Sequence, residues 1–433
     1  MSHIYENDTK PILSDPPYLL QFILSVVLSV LCGATIMLMW NWFVVPLGLP
    51  MIGLVQALGL DTLITFIVTT RVNTTPPRSI LGSLDHCYHL CASHIVRRVA
   101  APFLHVTQED VIMDTQMVLT HTGKIYFNRS LGLEFLTVGD YGKENNIKAD
   151  FLGLTKKIEG VQHHDVDLMD KWVATISSQK GCPMKCTFCD VHKYGFFGNA
   201  SLPDLEYQIR YIIEHEDVRF TNRFNVHYAR MGEPTWNPAV LDFTESRLDD
   251  LVKECGLHAV TIHPVVSTMM PRSNNDLSSY LKHWCEIKNT QRHGEAGLQL
   301  SINSTSDDQR EAQFADKSLS LREIANIASD LPMPVGRKYT LNFAVTEATI
   351  LDAKVLDSLF DRDKFIVKIT PIHQTKAALE HNYDITTSYD DYSVYDKFEQ
   401  PLLDLGWDVI VFVPSKEEDS DRITCGNALI SEV

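Results

Sequence analysis

Residues 177–189 read Ser-Ser-Gln-Lys-Gly-Cys-Pro-Met-Lys-Cys-Thr-Phe-Cys. Cys182, Cys186 and Cys189 stand at C-x3-C-x2-C spacing, three thiols within eight residues. Three thiolates can hold three irons of a cubane [4Fe-4S] cluster and leave the fourth without a protein ligand. An open iron can chelate a small molecule, which turns an electron carrier into a catalytic centre. A zinc knuckle would need a fourth ligand, and His192 lies three residues on. Disulfide pairing is disfavoured by the odd number of cysteines, nine, in a long chain without a cleavable secretory signal.

Working outward, 433 residues leave room for two or three domains. A hydrophobic content of 45% with 21% charged residues describes a globular protein with some membrane character. The formal charge of −17 lowers the expectation of a nucleic-acid partner, though a local basic channel remains compatible with it. Between Lys10 and Arg71 there is no lysine or arginine. Tyr18–Trp40 is a run of twenty-three uncharged residues, long enough to cross ~30 Å of hydrocarbon as a helix. Met51–Thr69 carries one charge, Asp61, and reads as a second span or an interfacial helix. Its basic neighbours lie on the outer flanks (Lys10; Arg71, Arg78, Arg97, Arg98) and not in the connecting turn. A transmembrane helical hairpin with both ends and the catalytic domain on the cytoplasmic side is therefore expected. That compartment also suits an oxygen-sensitive cluster.

The chain divides by pattern into an N-terminal tail with membrane segments (1–70), a connector with an amphipathic helix (71–110), a small β-rich segment (111–165) and a core (166–433). The connector holds Cys87 and Cys91 among three histidines, a helical spacing that favours packing over metal binding. Val111–Leu119 and Lys124–Asn128 read as a hairpin around Gly123. From Trp172 onward strands alternate with helices. The expected strands are 173–177, 224–229, 259–265, 298–302, 340–344, 365–369 and 407–413, and the expected helices 201–215, 245–255 and 321–330. Alternation of this kind predicts an α/β fold with a parallel sheet and helices outside it.

The match to known proteins extends beyond the cysteines. The cysteine stretch resembles the cluster loop of the radical S-adenosylmethionine (SAM) enzymes that methylate adenine at C2 or C8 in ribosomal and transfer RNA. Arg230-Met-Gly-Glu-Pro-Thr-Trp-Asn237, Val266-Ser-Thr-Met-Met-Pro271, Leu298 to Arg310 and Ile423-Thr-Cys-Gly-Asn427 resemble four further motifs of that family, in its order. The resemblance covers residues from about 158 to 430. It implies a partial (βα)6 barrel, with the site at the carboxyl ends of the strands. It implies a [4Fe-4S] cluster on Cys182, Cys186 and Cys189, SAM as cofactor, and a reducing electron donor such as flavodoxin or ferredoxin. Gly232, Glu233, Ser267, Ser301 and Asn303 are the expected SAM contacts, with Glu233 accepting from the ammonium group. His373 stands where the family has an asparagine, so its part in cofactor binding is open. Cys425 matches the family's methyl-carrying cysteine, and Glu159 is a candidate for its upstream catalytic glutamate.

Two departures stand out. The family's cysteine seven residues before the first cluster ligand is Thr175, which cannot form the resolving disulfide. The run before Cys425 is acidic (Glu417, Glu418, Asp419, Asp421), where the family is basic. Three functions follow as hypotheses. The first is a membrane-anchored radical SAM methyltransferase with a methyl-carrying cysteine. The second is a radical SAM enzyme abstracting hydrogen from a small molecule, lipid or peptide. The third is a non-catalytic iron-sulfur membrane protein.

Overall fold

The computed structural model describes residues 34–35, 114–138, 167–384, 393–414 and 416–431. The chain forms two compact units, Met1–Val106 and Thr107–Val433. Both apolar N-terminal stretches (apart from Ala34 and Thr35), the connector and Glu159 lie outside the described residues. Among the described residues no helix is long and apolar enough to cross a membrane.

The second unit is built on a ten-stranded sheet. Its strands are β1 (Thr115–Leu119), β2 (Gly123–Asn128), β3 (Leu133–Val138), β4 (Trp172–Thr175), β7 (Phe220–Tyr228), β8 (His258–Thr268), β9 (Gly297–Ser301), β10 (Tyr339–Val345), β11 (Phe365–Pro371) and β12 (Val409–Val411). A separate ribbon pairs β5 (Gln179–Gly181) with β6 (Phe196–Asn199). From β4 to β12 every neighbouring pair in the large sheet is parallel. Helices carry the crossovers: α1 (Leu202–Glu214), α2 (Ala239–Ser246), α3 (Leu248–Glu254), α4 (Leu277–Glu286), α5 (Asp307–Phe314), α6 (Leu321–Ser329), α7 (Ala353–Leu359), α8 (Lys376–Glu380) and α9 (Ser393–Asp404). The seven strands expected from Trp172 onward correspond to β4, β7, β8, β9, β10, β11 and β12, the last of these at the edge.

The β-rich stretch is not set off from the core. β1, β2 and β3 run antiparallel, and β3 pairs antiparallel with β4, so the hairpin extends the same sheet. Local chemistry explains the helix boundaries. Ser201 accepts from Asp204 N while Asp204 accepts from Ser201 N at 2.9 Å, a capping box that starts α1. Leu205, Ile209, Ile212 and Ile213 then face the core. The helix expected over 245–255 is instead two, α2 and α3, broken at Arg247. That residue leaves helical geometry and forks to Glu206 (2.9 Å) and Glu254 (2.7 Å). Under the sheet, Trp172 meets Phe224 edge-on at 5.3 Å, and Trp284 Nε1 donates to Gly297 O at 3.0 Å.

Candidate active site

The cysteine loop leaves the carboxyl end of β4 and is fastened at every turn. Ile176 N donates to His227 O (2.8 Å) and Ser178 N to Met231 O (2.9 Å), tying the loop to the end of β7. Cys182 N donates to Gly195 O (3.0 Å), which works only because Gly181 has no side chain; a Cβ there would stand 2.0 Å from that oxygen. Asp190 caps α8, accepting from Ala377 N (2.8 Å) and Lys376 N (3.1 Å), while Asp190 N donates to Gly426 O (2.7 Å). The loop therefore touches β7, α8 and the C-terminal segment before any cofactor is considered.

Cys182 and Cys186 are buried and Cys189 half-buried, and all three are free thiols on the wall of one cavity. Burial pushes all three thiols well up, Cys189 to about 12, so they stay protonated unless a cation takes them. Among the described residues, no three His, Cys, Asp or Glu groups converge on a point where one metal ion could sit. A cubane cluster would not need such convergence, since each thiolate would hold a different iron. Phe188 packs edge-on against Phe314 (5.8 Å), and Met184, Met231 and Ile430 complete an apolar jacket around the cysteines.

The cavity has a volume of about 450 Å3. It brings together the three loop cysteines, Gly232, Ser267, Ser301, Asn303, His373 and Cys425, as well as Thr175. Ser267 and Ser301 sit at the carboxyl ends of β8 and β9, with Gln299 Nε2 donating to Ser267 Oγ at 2.9 Å. Asn303 adopts φ +59°, and its Oδ1 accepts from Ala344 N at 3.1 Å, so its side chain bridges β9 to β10. Arg310 holds the same strand end, donating to Ser301 O (3.3 Å) and Ile302 O. His373 Nδ1 lies 3.2 Å from Asp419 Oδ1 without hydrogen-bond alignment.

Glu233 departs from expectation. It is fully buried and is not among the residues lining the cavity. Its Oε1 accepts from Thr235 N (3.1 Å) and Thr235 Oγ1 (2.8 Å), and its Oε2 from Met269 N (2.8 Å). Both carboxylate oxygens thus hold the Gly-Glu-Pro turn against the end of β8, and desolvation raises the carboxyl pKa. Gly232 beside it has φ +101°, and a Cβ there would meet Gln179 Cβ at 2.5 Å.

Cys425 is solvent-accessible through the cavity. The surrounding protein still pushes its thiol above its usual value, with Lys368 and Arg230 pulling the other way. A buried ion pair absent from the sequence reading positions it. Glu134 on β3 is fully buried and pairs with Arg230, whose Nε donates at 2.8 Å. Glu134 also accepts from Leu429 N (3.2 Å) and Ile430 N (2.6 Å), and Arg230 Nη1 reaches Thr424 O at 3.5 Å. Both flanks of Cys425 are therefore held by one pair. The available signal was a lone glutamate within the apolar strand Leu133-Glu-Phe-Leu-Thr-Val138.

Fold and site together define an α/β protein on a mostly parallel sheet, with a three-thiol loop and a fourth, separate thiol on one cavity. No protein-family model matches the chain. Over 212 residues it is 26% identical to the probable dual-specificity RNA methyltransferase RlmN of Pseudothermotoga lettingae, covering 48% of this chain and 57% of that protein. Over 205 residues it is 27% identical to the dual-specificity RNA methyltransferase RlmN of Campylobacter hominis, covering 46% and 53%. The chain thus spans little more than half the length of these curated relatives. Among solved structures, a radical SAM methyltransferase from Sphaerobacter thermophilus superposes with a TM-score of 0.47 at 16% identity, covering 73% of this chain and 80% of that one. A likeness at that level assigns no activity.

Proposed function

We propose that the protein is a radical SAM methyltransferase. In it Cys182, Cys186 and Cys189 hold a [4Fe-4S] cluster, SAM lies along Gly232, Ser267, Ser301 and Asn303, and Cys425 carries the methyl group. The observation that carries this reading is the meeting of Cys425 with the three loop cysteines on one cavity, although they come from opposite ends of the core. The likeness to RlmN proteins supports methyl transfer and makes RNA the first substrate class to test. A bound cluster, kept reduced by an external donor, would supply one-electron reduction of SAM as the source of radical chemistry.

The chain's own residues do the rest. Glu233 locks the strand-end turn so that Gly232 and Ser267 keep their places. Phe188 and its jacket keep water from the cysteines. Once its proton is lost, Cys425 Sγ would take a methyl group from a SAM molecule that leaves as S-adenosylhomocysteine, and Arg230 and Lys368 favour the proton loss electrostatically. The N-terminal apolar stretches are read as a membrane anchor, with this domain on the cytoplasmic side and a flavodoxin- or ferredoxin-like donor in reach.

Peptide mass spectrometry on Cys425 tests the assignment, after anaerobic reconstitution of the full chain with SAM and a reductant. A methyl or methylene mark is expected. An unmarked Cys425 alongside 5′-deoxyadenosine would replace methyl transfer with hydrogen abstraction from another substrate. Thr175 favours that second reading: it lines the cavity, and its hydroxyl cannot resolve an adduct by disulfide exchange.

A further inference from the structure

The chain is strongly acidic overall, yet the cavity beneath the cysteine loop is not. Five cations line it, and Glu418 is the one acid that does so among the described residues. Arg230 is spent on Glu134. The other four, Lys171, Arg223, Arg337 and Lys368, line the same cavity. Lys171 directly precedes β4 and Arg337 lies two residues before β10. On β7, Arg223 lies four residues before His227, which pairs with Thr175, so the cation stands about 13 Å deeper than that threonine. Lys368 on β11 shares a register row with Asn342 on β10, which pairs with Ser301 on β9.

Each of these four also has contacts of its own within the chain; what they share is the cavity. Arg223 is oriented by its neighbour, its Nε donating to Asn225 Oδ1 at 3.0 Å. His227 reports the common field. Burial, then Lys368, Lys171, Arg337 and Arg223, push it down to about 3, so it stays a neutral ring among four cations. A low-dielectric wall of one charge sign concentrates counter-charge in the space it encloses.

We propose that this cavity holds an anion site, in which Lys171, Arg223, Arg337 and Lys368 receive a phosphate group that forms the charged end of the substrate. Its identity as substrate rests on the radical-enzyme reading; the binding of the anion does not. Phosphate-class ligands suit a cavity walled by cations, because a phosphate offers several oxygens to such groups.

The test is calorimetric titration of the full-length, detergent-solubilised protein with inorganic phosphate at low ionic strength. Binding that weakens with added salt is expected. Lys368→Gln and Arg223→Gln should each weaken it about tenfold, the loss of one charge-assisted contact. Arg223→Lys, which keeps the charge, and Lys253→Gln, an exposed control on α3 with a side chain 75% accessible, should change it little. Thermal melts of each variant show whether it is folded. Wild-type affinity in folded Lys368 and Arg223 variants would overturn the proposal, as would failure to bind phosphate at all.

Competition separates the sources. Displacement by adenosine 5′-monophosphate but not by an unphosphorylated RNA oligonucleotide identifies a small phosphomonoester. Displacement by the oligonucleotide identifies an RNA phosphodiester, and displacement by neither overturns the site. Cluster loading and SAM cleavage are measured separately. Their loss with phosphate binding intact would remove the radical reading and leave the anion site standing.

Discussion

The cysteine loop and the C-terminal segment meet at one cavity but are held there by opposite means. The loop brings its three thiols within eight residues and is fixed mainly by backbone bonds to strand ends and to its own ribbon. The segment around Cys425 has no strand or helix at the thiol and depends on distant partners. Glu134 holds Leu429 and Ile430, Arg230 holds Thr424, and Thr122 anchors Asp421 through N and Oγ1, both at 2.8 Å. A metal-ligand set can be written locally because its ligands need only short spacing. A group that must approach it from elsewhere needs the whole fold.

The largest effects should separate the two regions outright. Cys189→Ala is expected to reduce cluster absorbance and 5′-deoxyadenosine formation to background, whereas Cys425→Ala keeps both and loses only the methyl mark. Optical spectra and product analysis read this directly, and loss of the cluster in the Cys425 variant would break the division of roles. Next comes Glu134→Gln, which leaves Arg230 as a buried charge without its counter-ion. A destabilisation of about 3–5 kcal/mol is expected in chemical denaturation. Marking of Cys425 should fall more steeply than cluster content in the protein that remains folded. Equal losses would mean that Glu134 supports the sheet and not the C-terminal segment.

Gly426→Ala sharpens the comparison at closer range. Gly426 has φ +89°, and a Cβ would stand 3.1 Å from Phe188 O. The expected cost is about 1–2 kcal/mol, with slower alkylation of Cys425 or slower marking as the segment shifts off the loop. The smallest effect is Ser201→Ala, which removes the α1 cap for about 1 kcal/mol and should leave both cysteine chemistries intact. A thermal melt checks it.

The α1 boundary, the βα alternation and the cysteine spacing were readable because each is a short-range pattern: a capping box, a hydrophobic period, a ligand interval. Reading went astray where a side chain's partner lies far off in the chain. The break at Arg247 depends on Glu206 and Glu254. Glu233 looked like a ligand contact because it follows a strand at the barrel mouth, but Met269 N, from the next strand's end, claims one of its oxygens. The joining of the β-rich stretch to the core depends on β3 pairing with β4, which no local pattern announces.

By itself, then, the sequence determined the thiol set, the parallel α/β sheet and Cys425 as the residue to watch. Tertiary structure alone decided that Cys425 reaches the cluster loop, that Glu134 and Arg230 hold it there, and that four scattered cations share one cavity in an acidic protein. The physical reason is range. Spacing and periodicity record contacts between near neighbours, while burial, charge pairing and cavity shape are set by residues that meet only after the sheet has closed around them.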